Sequence, residues 1–414
     1  MYPNMVNVRQ YFDAPPAIDY KSVLRDELKN VDLRSIVKPG AKVAITAGSR
    51  GVTNIADIIK TVVEEVKKVG GKPFILPTMG SHGGAISEGQ VRVLFDLGVT
   101  EDFVGAPIES SMEVKEVARL DNGKPVYVSK PALGADAIIV VGRVKPHTDF
   151  KDEIESGLMK MMVIGLGKQK GAQTFHSGGR YGYHNLLVPT ARKIMENSPI
   201  KLGIAIVENQ YHETALVKTI RPEEIEGEER NLLVKSKEWM MKIPFKQLDL
   251  LIVEKMGKNI SGTGMDPNVT GRFAWPEEKP KDLPDIRMIV TLDLTKETEG
   301  NAIGVGLADI ITKRLFDEIN FNDTYMNSLT AGMIGIIGAK IPTVMPTDRD
   351  VLGLALRLLD KKNEEVRAMR IKNTLELATF QVAESLVDEV KKNNKLELAS
   401  EADEMQFDIL GNLI

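Results

Sequence analysis

The chain has 414 residues, longer than one hydrophobic core usually spans, so two domains are expected. Its 43% hydrophobic content excludes a disordered chain, and 54 basic against 58 acidic side chains, a net charge of -4, give no electrostatic footprint for nucleic acid. No apolar run reaches ~18 residues and the opening MYPNMVNVRQYFD lacks a basic-then-apolar order, so neither a membrane span nor a secretory signal is expected, and a soluble cytoplasmic protein is.

The first ordered unit is expected near Lys42, where KVAITA reads as a buried strand ending in the turn Gly48-Ser49-Arg50-Gly51. Thr53 or Asn54 can cap a helix whose apolar face carries Ile55, Ile58, Ile59, Val62, Val63 and Val66. Gly70-Gly71 stops it, and Pro73 to Pro77 begins a second strand, which completes a βαβ unit and predicts a parallel sheet. Further strands are predicted over 135–141, 202–207, 248–253 and 288–292, and helices over 152–162, 223–239, 302–319, 350–361 and 373–390. The stretch 257–271 reads as a glycine-rich loop and 277–282 as a solvated connector. The fold class is therefore α/β, with two α/β domains, 1–245 and 246–414, and a mainly parallel sheet in the first.

Cysteine is absent, which removes disulfides, thiolate metal sites and a thiol nucleophile. The five histidines, His82, His147, His176, His184 and His212, all fall within one 131-residue stretch. Three loops after predicted strands set small residues beside ionisable ones: Thr46 to Arg50, Thr78 to Gly84, and Arg143 to Asp149. Carboxyl ends of parallel strands border ligand crevices, glycines allow close backbone approach, and Arg50 can grip a carboxylate or phosphate. His82 and His147 can exchange protons near neutral pH, or each can simply satisfy a loop backbone group. None of the glycine loops matches GxGxxG or GxxxxGK[ST]; Gly165-Leu166-Gly167-Lys168 is half of the latter. Met159, Met161 and Met162 read as core, and Lys160 among them either points outward or is a partly desolvated amine.

The string from His147 through Lys160 to His176 resembles the nickel-dependent lactate racemase family of 2-hydroxyacid racemases and epimerases, in which a second histidine follows the lysine by the sixteen positions found here. Thr78-Met79-Gly80-Ser81-His82-Gly83 resembles the family's histidine loop, and Arg50 its early arginine. The resemblance implies a two-domain fold with the active site in an inter-domain cleft. It also implies a nickel-pincer nucleotide cofactor, a pyridinium mononucleotide carrying nickel, with Lys160 as its tether and His176 as the nickel ligand. His82 and His147 are then the paired acid/base residues, and Arg50 orients the substrate carboxylate or holds the cofactor. Ser49, Gly80, Ser81, Gly157 and Lys168 are the further cofactor contacts expected. The expected partners are a small 2-hydroxy acid and the proteins that make the cofactor; oligomerisation is open.

The chain departs from the family in three places. His147 precedes Lys160 by three residues more than in the founding members. Ala47 stands where founding members carry an aspartate, and Asp266-Pro267-Asn268 with Arg272 retains only part of a later lysine-bearing motif. Altered substrate contacts follow, and which hydroxy acid is taken stays open, a sugar acid, an aromatic hydroxyacid or a malate-like diacid being the alternatives to lactate. The other readings are a hydroxyacid dehydratase or lyase, and a nonenzymatic nucleotide- or carbohydrate-binding protein.

Overall fold

The computed structural model describes residues 2–49 and 51–414. The chain divides into two compact units, Ala14–Met240, and 2–13 together with Met241–Ile414.

In the first unit a five-stranded sheet runs in the order Lys72–Pro77, Lys42–Ala47, Ala137–Arg143, Ile200–Glu208, Thr214–Ile220. The first four strands are parallel and the last is antiparallel to its neighbour. The apolar runs read from the sequence are the four parallel strands, and helices cover them; Thr214–Ile220 is a fifth strand that the sequence reading does not contain. Ile58, Ile59, Val62 and Val63 of the helix Ile55–Lys68 pack with Val43, Ile45, Ile75, Ile139 and Leu202. Each such side chain contributes about 1.5–3 kcal/mol on burial. A separate antiparallel hairpin, Val114–Arg119 with Pro125–Ser129, lies in the same unit.

The second unit holds a mixed sheet, in the order Thr343–Met345, Ile310–Thr312, Asp285–Leu294, Gln247–Met256, Ala368–Ile371, Thr379–Ala383, Asn4–Gln10, Leu396–Leu398. Pairing is parallel through Ala368–Ile371 and antiparallel beyond it. The helix Asp348–Leu359 lays Val351, Leu352 and Ala355 against Leu250, Ile252 and Val290. Among the described residues no helix is long and apolar enough to cross a membrane.

Five expectations need correction. The first ordered element is not near Lys42. Asn4–Gln10 is a strand burying Met5, Val6 and Val8, and it pairs with Thr379–Ala383 of the second unit, so the N-terminal unit is not 1–245 without a break. The helix Tyr20–Asn30 follows, capped by the Asp19 side chain on Ser22 N–H. Asn54 precedes its helix at φ +65 and makes no side-chain capping bond, while the Thr53 hydroxyl donates to the His212 carbonyl. The stretch 152–157 is not helical, because Glu155 turns inward to receive backbone and lysine donors. The expected helix 302–319 is the strand Ile310–Thr312 and the short helix Lys313–Asp317. There Ile310 and Ile311 are bonded on both edges, and a short, fully buried apolar run carries no period that separates strand from helix. Likewise 373–390 contains the strand Thr379–Ala383 and only a terminal helix, Val387–Lys392.

Candidate active site

The loop after the strand Ala137–Arg143 is organised by one buried carboxylate. Glu155 Oε2 accepts the His147 backbone N–H at 2.6 Å and the Lys151 ammonium at 3.2 Å. Its Oε1 accepts Asp152 N–H and pairs with Lys237 Nζ at 2.6 Å. Burying a charge is tolerable when it is paired and bonded in this way. Lys151 closes the loop by donating to the His147 carbonyl. His147 is thereby buried, 5% exposed, with its ring 4.7 Å from Phe150 and 5.5 Å from Tyr183.

Gly157 then enters a short helix, Leu158–Lys160, where a Cβ would meet the Glu229 carboxylate at 2.4 Å. That close approach lets Glu229 Oε2 accept Met159 N–H at 3.0 Å, satisfying a donor that a helix start leaves orphaned. The helix passes into a π-helical stretch, Met161–Leu166, then into Lys168–His176 and Gly179–Glu196. π segments recur at functional sites because they re-aim side chains. Met159 and Met162 are core, as expected, and Lys160 Nζ is half-buried, 3.3 Å from Ser156 Oγ.

These turns bring His147, Lys160 and His176 together. The Tyr183 ring lies 5.5 Å from His147 and 5.4 Å from His176, and its hydroxyl is 2.8 Å from His176 Nδ1. Desolvation, then Lys160, holds His176 down to about 3. His147 is lowered well below the usual imidazole range by burial first, then by Lys160, Lys151, His176 and Lys145. Burial, and then Asp149, raises the Tyr183 phenol well above its ordinary value. All three rings are neutral near pH 7.

The hydrogen bonds fix where the protons sit. Asp149 N–H donates to His147 Nδ1 at 3.0 Å, so the neutral His147 ring carries its proton on Nε2. His82 is the reverse. Its Nδ1 is 2.7 Å from the Met79 carbonyl, which can only accept, so Nδ1 carries the proton and Nε2 offers a lone pair.

The other expected residues fall in two places. Gly80, Ser81 and His82 share the turn after the strand Lys72–Pro77; Gly80 has φ +62, and a Cβ there would lie 3.0 Å from Ile164. Ser49 is half-buried after the neighbouring parallel strand. Arg50 lies outside the described residues. Lys168 is fully buried at φ +54, with its ammonium on the Pro77 carbonyl and Gln90 Oε1, so it is not part of an exposed phosphate loop. Ala47 is buried, and its carbonyl accepts both the N–H and the hydroxyl of Thr78. His184 pairs with Asp152, and the carbonyl of His212 receives Thr53. In the second unit Arg272 is gripped by Asp309 through two bonds of 2.9 and 3.1 Å and by the Ile286 carbonyl, so its charge is already matched. Tyr183, Glu229 and Gln90 carry no local signal in the sequence, and Glu155 sits in the charged run Lys151-Asp152-Glu153-Ile154-Glu155, where nothing marks it as buried.

Burial raises Glu229 to about 7, against the pull of its bonds to the Met159 and Leu158 N–H groups, and its Oε1 has no hydrogen-bond partner. A carboxyl whose folded-state value lies above its unfolded value contributes stability that is complete below the unfolded value and lost as pH rises through the folded one. Glu229→Gln keeps an acceptor for Met159 and cannot ionise. Between about pH 5 and pH 8 the unfolding midpoint of the wild type should therefore fall relative to that of the variant. Parallel urea-unfolding profiles over this range would show that Glu229 does not titrate there.

Residues 7–182 match the family model described as the lactate racemase N-terminal domain. Among solved structures, the lactate racemase apoprotein from Thermoanaerobacterium thermosaccharolyticum is similar, at 14% identity and a TM-score of 0.54, over 90% of this chain and 99% of that one. A crystal structure of a Thermotoga maritima protein is similar at 13% identity and a TM-score of 0.51, over 67% of this chain and 72% of that one. At these identities the likeness is one of fold. No curated protein matches. Residues 7–182 are thus similar to the N-terminal domain of the lactate racemases, and the chain as a whole shares the fold of the lactate racemase apoprotein.

Proposed function

We propose that the protein is a racemase or epimerase of a 2-hydroxy acid that works with a nickel-pincer nucleotide. The observation that carries this reading is the grouping of His147 and His176 around Tyr183, with Lys160 near enough to act on both imidazoles. The residues fit such a group. Among the described residues no three His, Asp or Glu side chains gather as a metal-binding set, so a nickel ion here needs further donors from an organic ligand. His176 is neutral, as a ligand must be, and Tyr183 Oη can accept Nδ1–H and leave Nε2 for the metal. Lys160 is the amine placed to anchor the organic part. Ser49 and Ser81 are the proposed polar contacts of the nucleotide, and Arg50 that of the substrate carboxylate. When bound, the group supplies the hydride acceptor that no side chain here provides.

The chain's own residues move the proton. His82 Nε2 takes the hydroxyl proton of one stereoisomer as its carbon becomes planar, and a 2-oxo acid results. Returning a proton to the oxygen from the other side requires a doubly protonated His147, whose Nδ1–H then needs an acceptor. Asp149 Oδ2, 3.8 Å from Nδ1, would have to move closer to be that acceptor, and Asp149 would then serve either tautomer, by its N–H or by its carboxylate. In the opposite direction the two histidines exchange roles. Solvent restores one proton to the donor and removes one from the base in each turnover. Phe150, Phe175 and Tyr183 wall this group with apolar surface that strengthens each bond.

The test is production of the protein with and without the cofactor-making proteins, followed by metal analysis, intact mass and chiral analysis over a panel of 2-hydroxy acids. Nickel, and interconversion of stereoisomers without net loss of water, are expected only in the first preparation. A permissive preparation carrying neither nickel nor a bound nucleotide would remove the reading, and net dehydration would replace racemase by lyase.

A further inference from the structure

We propose that Lys168 and Gln90 form a buried strut that holds the His82 turn in register with the segment carrying Lys160 and His176. Lys168 sits midway between those two residues in sequence, at the junction of the π-helical stretch Met161–Leu166 and the helix Lys168–His176. Its side chain leaves that junction, and its ammonium donates to the carbonyl of Pro77, the last residue of the strand Lys72–Pro77, and to Gln90 Oε1 at 2.9 Å. Gln90, also fully buried, passes the connection on. Its amide donates to the carbonyl of Gly80 at 2.9 Å and to that of His82 at 3.4 Å. One ammonium thus ties the start of the turn directly and both ends of 80–82 through a single amide. Ile164 also packs on the turn, 3.0 Å from where a Cβ of Gly80 would lie.

A leucine or methionine would fill this space without the cost of desolvating an ammonium, a cost large enough to pull Lys168 down to about 8. What the polar pair adds is direction: four acceptors and donors at fixed positions specify one placement of His82. Lys168 is therefore a positioning residue and not a cofactor ligand. The inference rests on the reading of His82 as a proton-transfer residue, but its first readout does not.

That readout is hydrogen–deuterium exchange on the full-length, cofactor-free protein with Lys168→Met, Gln90→Leu, the double variant and Gln90→Glu. Each single leucine or methionine variant should speed exchange in 78–86 by ~10-fold or more while 137–143 keeps the wild-type rate, and the double variant should add little, because one link is cut twice. Gln90→Glu keeps the acceptor for Lys168 but loses both donors, so it should release 80–82 in a protein that still folds. Exchange raised evenly over Ala14–Met240, or unchanged in 78–86, overturns the strut. In the loaded enzyme, kcat should fall ~10–100-fold with KM and nickel content near wild type, as expected for a misplaced reacting group. Unchanged kcat beside a mobilised turn overturns the positioning role. If His82→Ala itself leaves turnover unchanged, the proton-transfer reading of His82 fails, and the strut stands or falls on exchange alone.

Discussion

In His82→Ala and in His147→Ala, steady-state interconversion of the two stereoisomers is expected to fall ~10²–10⁴-fold in both directions, or about 3–5 kcal/mol, the range of a lost general acid or base. The expected loss is symmetric because, in the proposed mechanism, each direction uses one histidine to remove a proton and the other to return it. The first half of the reaction separates them. A single turnover of each pure stereoisomer, quenched and assayed for the 2-oxo acid, needs only the base on its own side. His82→Ala should slow one stereoisomer far more than the other, and His147→Ala should reverse the preference. The resting tautomers add an asymmetry. In the neutral ring His82 donates Nδ1–H to the Met79 carbonyl and so keeps its lone pair on Nε2, whereas His147 holds a proton on Nε2 while Asp149 N–H occupies Nδ1. The stereoisomer served by His147 should thus be the one whose rate also drops in Asp149→Asn, since the amide is a weaker acceptor for Nδ1–H than the carboxylate. Equal slowing of both stereoisomers in every variant would defeat the face-specific assignment.

Much of the first unit is legible in the sequence because its parallel strands are buried on both faces and read as uninterrupted apolar runs: 42–47, 72–77, 137–143 and 200–208. Asn4–Gln10 was not legible, since its meaning lies in partners nearly four hundred residues away. The stretch 302–319 misled because Gly304 and Gly306 interrupt an apolar run that tertiary pairing, not local period, turns into a strand. The site divides in the same way. His147, Lys160 and His176 lie on one continuous segment and could be found by spacing and resemblance. Glu229 acts on Met159 from 70 residues away and leaves no local trace. Tyr183 follows His176 by seven positions, but a break separates their two helices, so that spacing alone does not establish that its hydroxyl lies on Nδ1. Lys168 shows the opposite failure: a lysine after Gly165-Leu166-Gly167 suggests a phosphate loop, and only burial reveals that its ammonium faces two protein acceptors.

The largest effects are expected at the cofactor end of the site. Protein loaded in a permissive host and passed through a desalting column should carry no nickel above background as His176→Ala. As Lys160→Ala it should also lose any mass added to the chain. The two losses differ in kind, because His176 is proposed to hold the metal directly and Lys160 the organic part that supplies its remaining donors. Tyr183→Phe separates ligand from support. The phenyl ring preserves the packing against His147, Phe150, Phe175 and His176, while Nδ1 loses a hydroxyl 2.8 Å away. Deleting such a partner typically weakens metal binding ~10–100-fold, so Tyr183→Phe should retain nickel at short times and lose it on dialysis against a chelator faster than wild type. The effect works through tautomer choice: without the phenol oxygen Nδ1–H loses that acceptor, and the proton can move to Nε2, the atom proposed for the metal. Near-wild-type nickel retention in both Lys160→Ala and His176→Ala would show that the group, if present, is held elsewhere. A Tyr183→Phe protein that releases nickel no faster than wild type would remove the tyrosine from the support of His176 while leaving His176 as ligand.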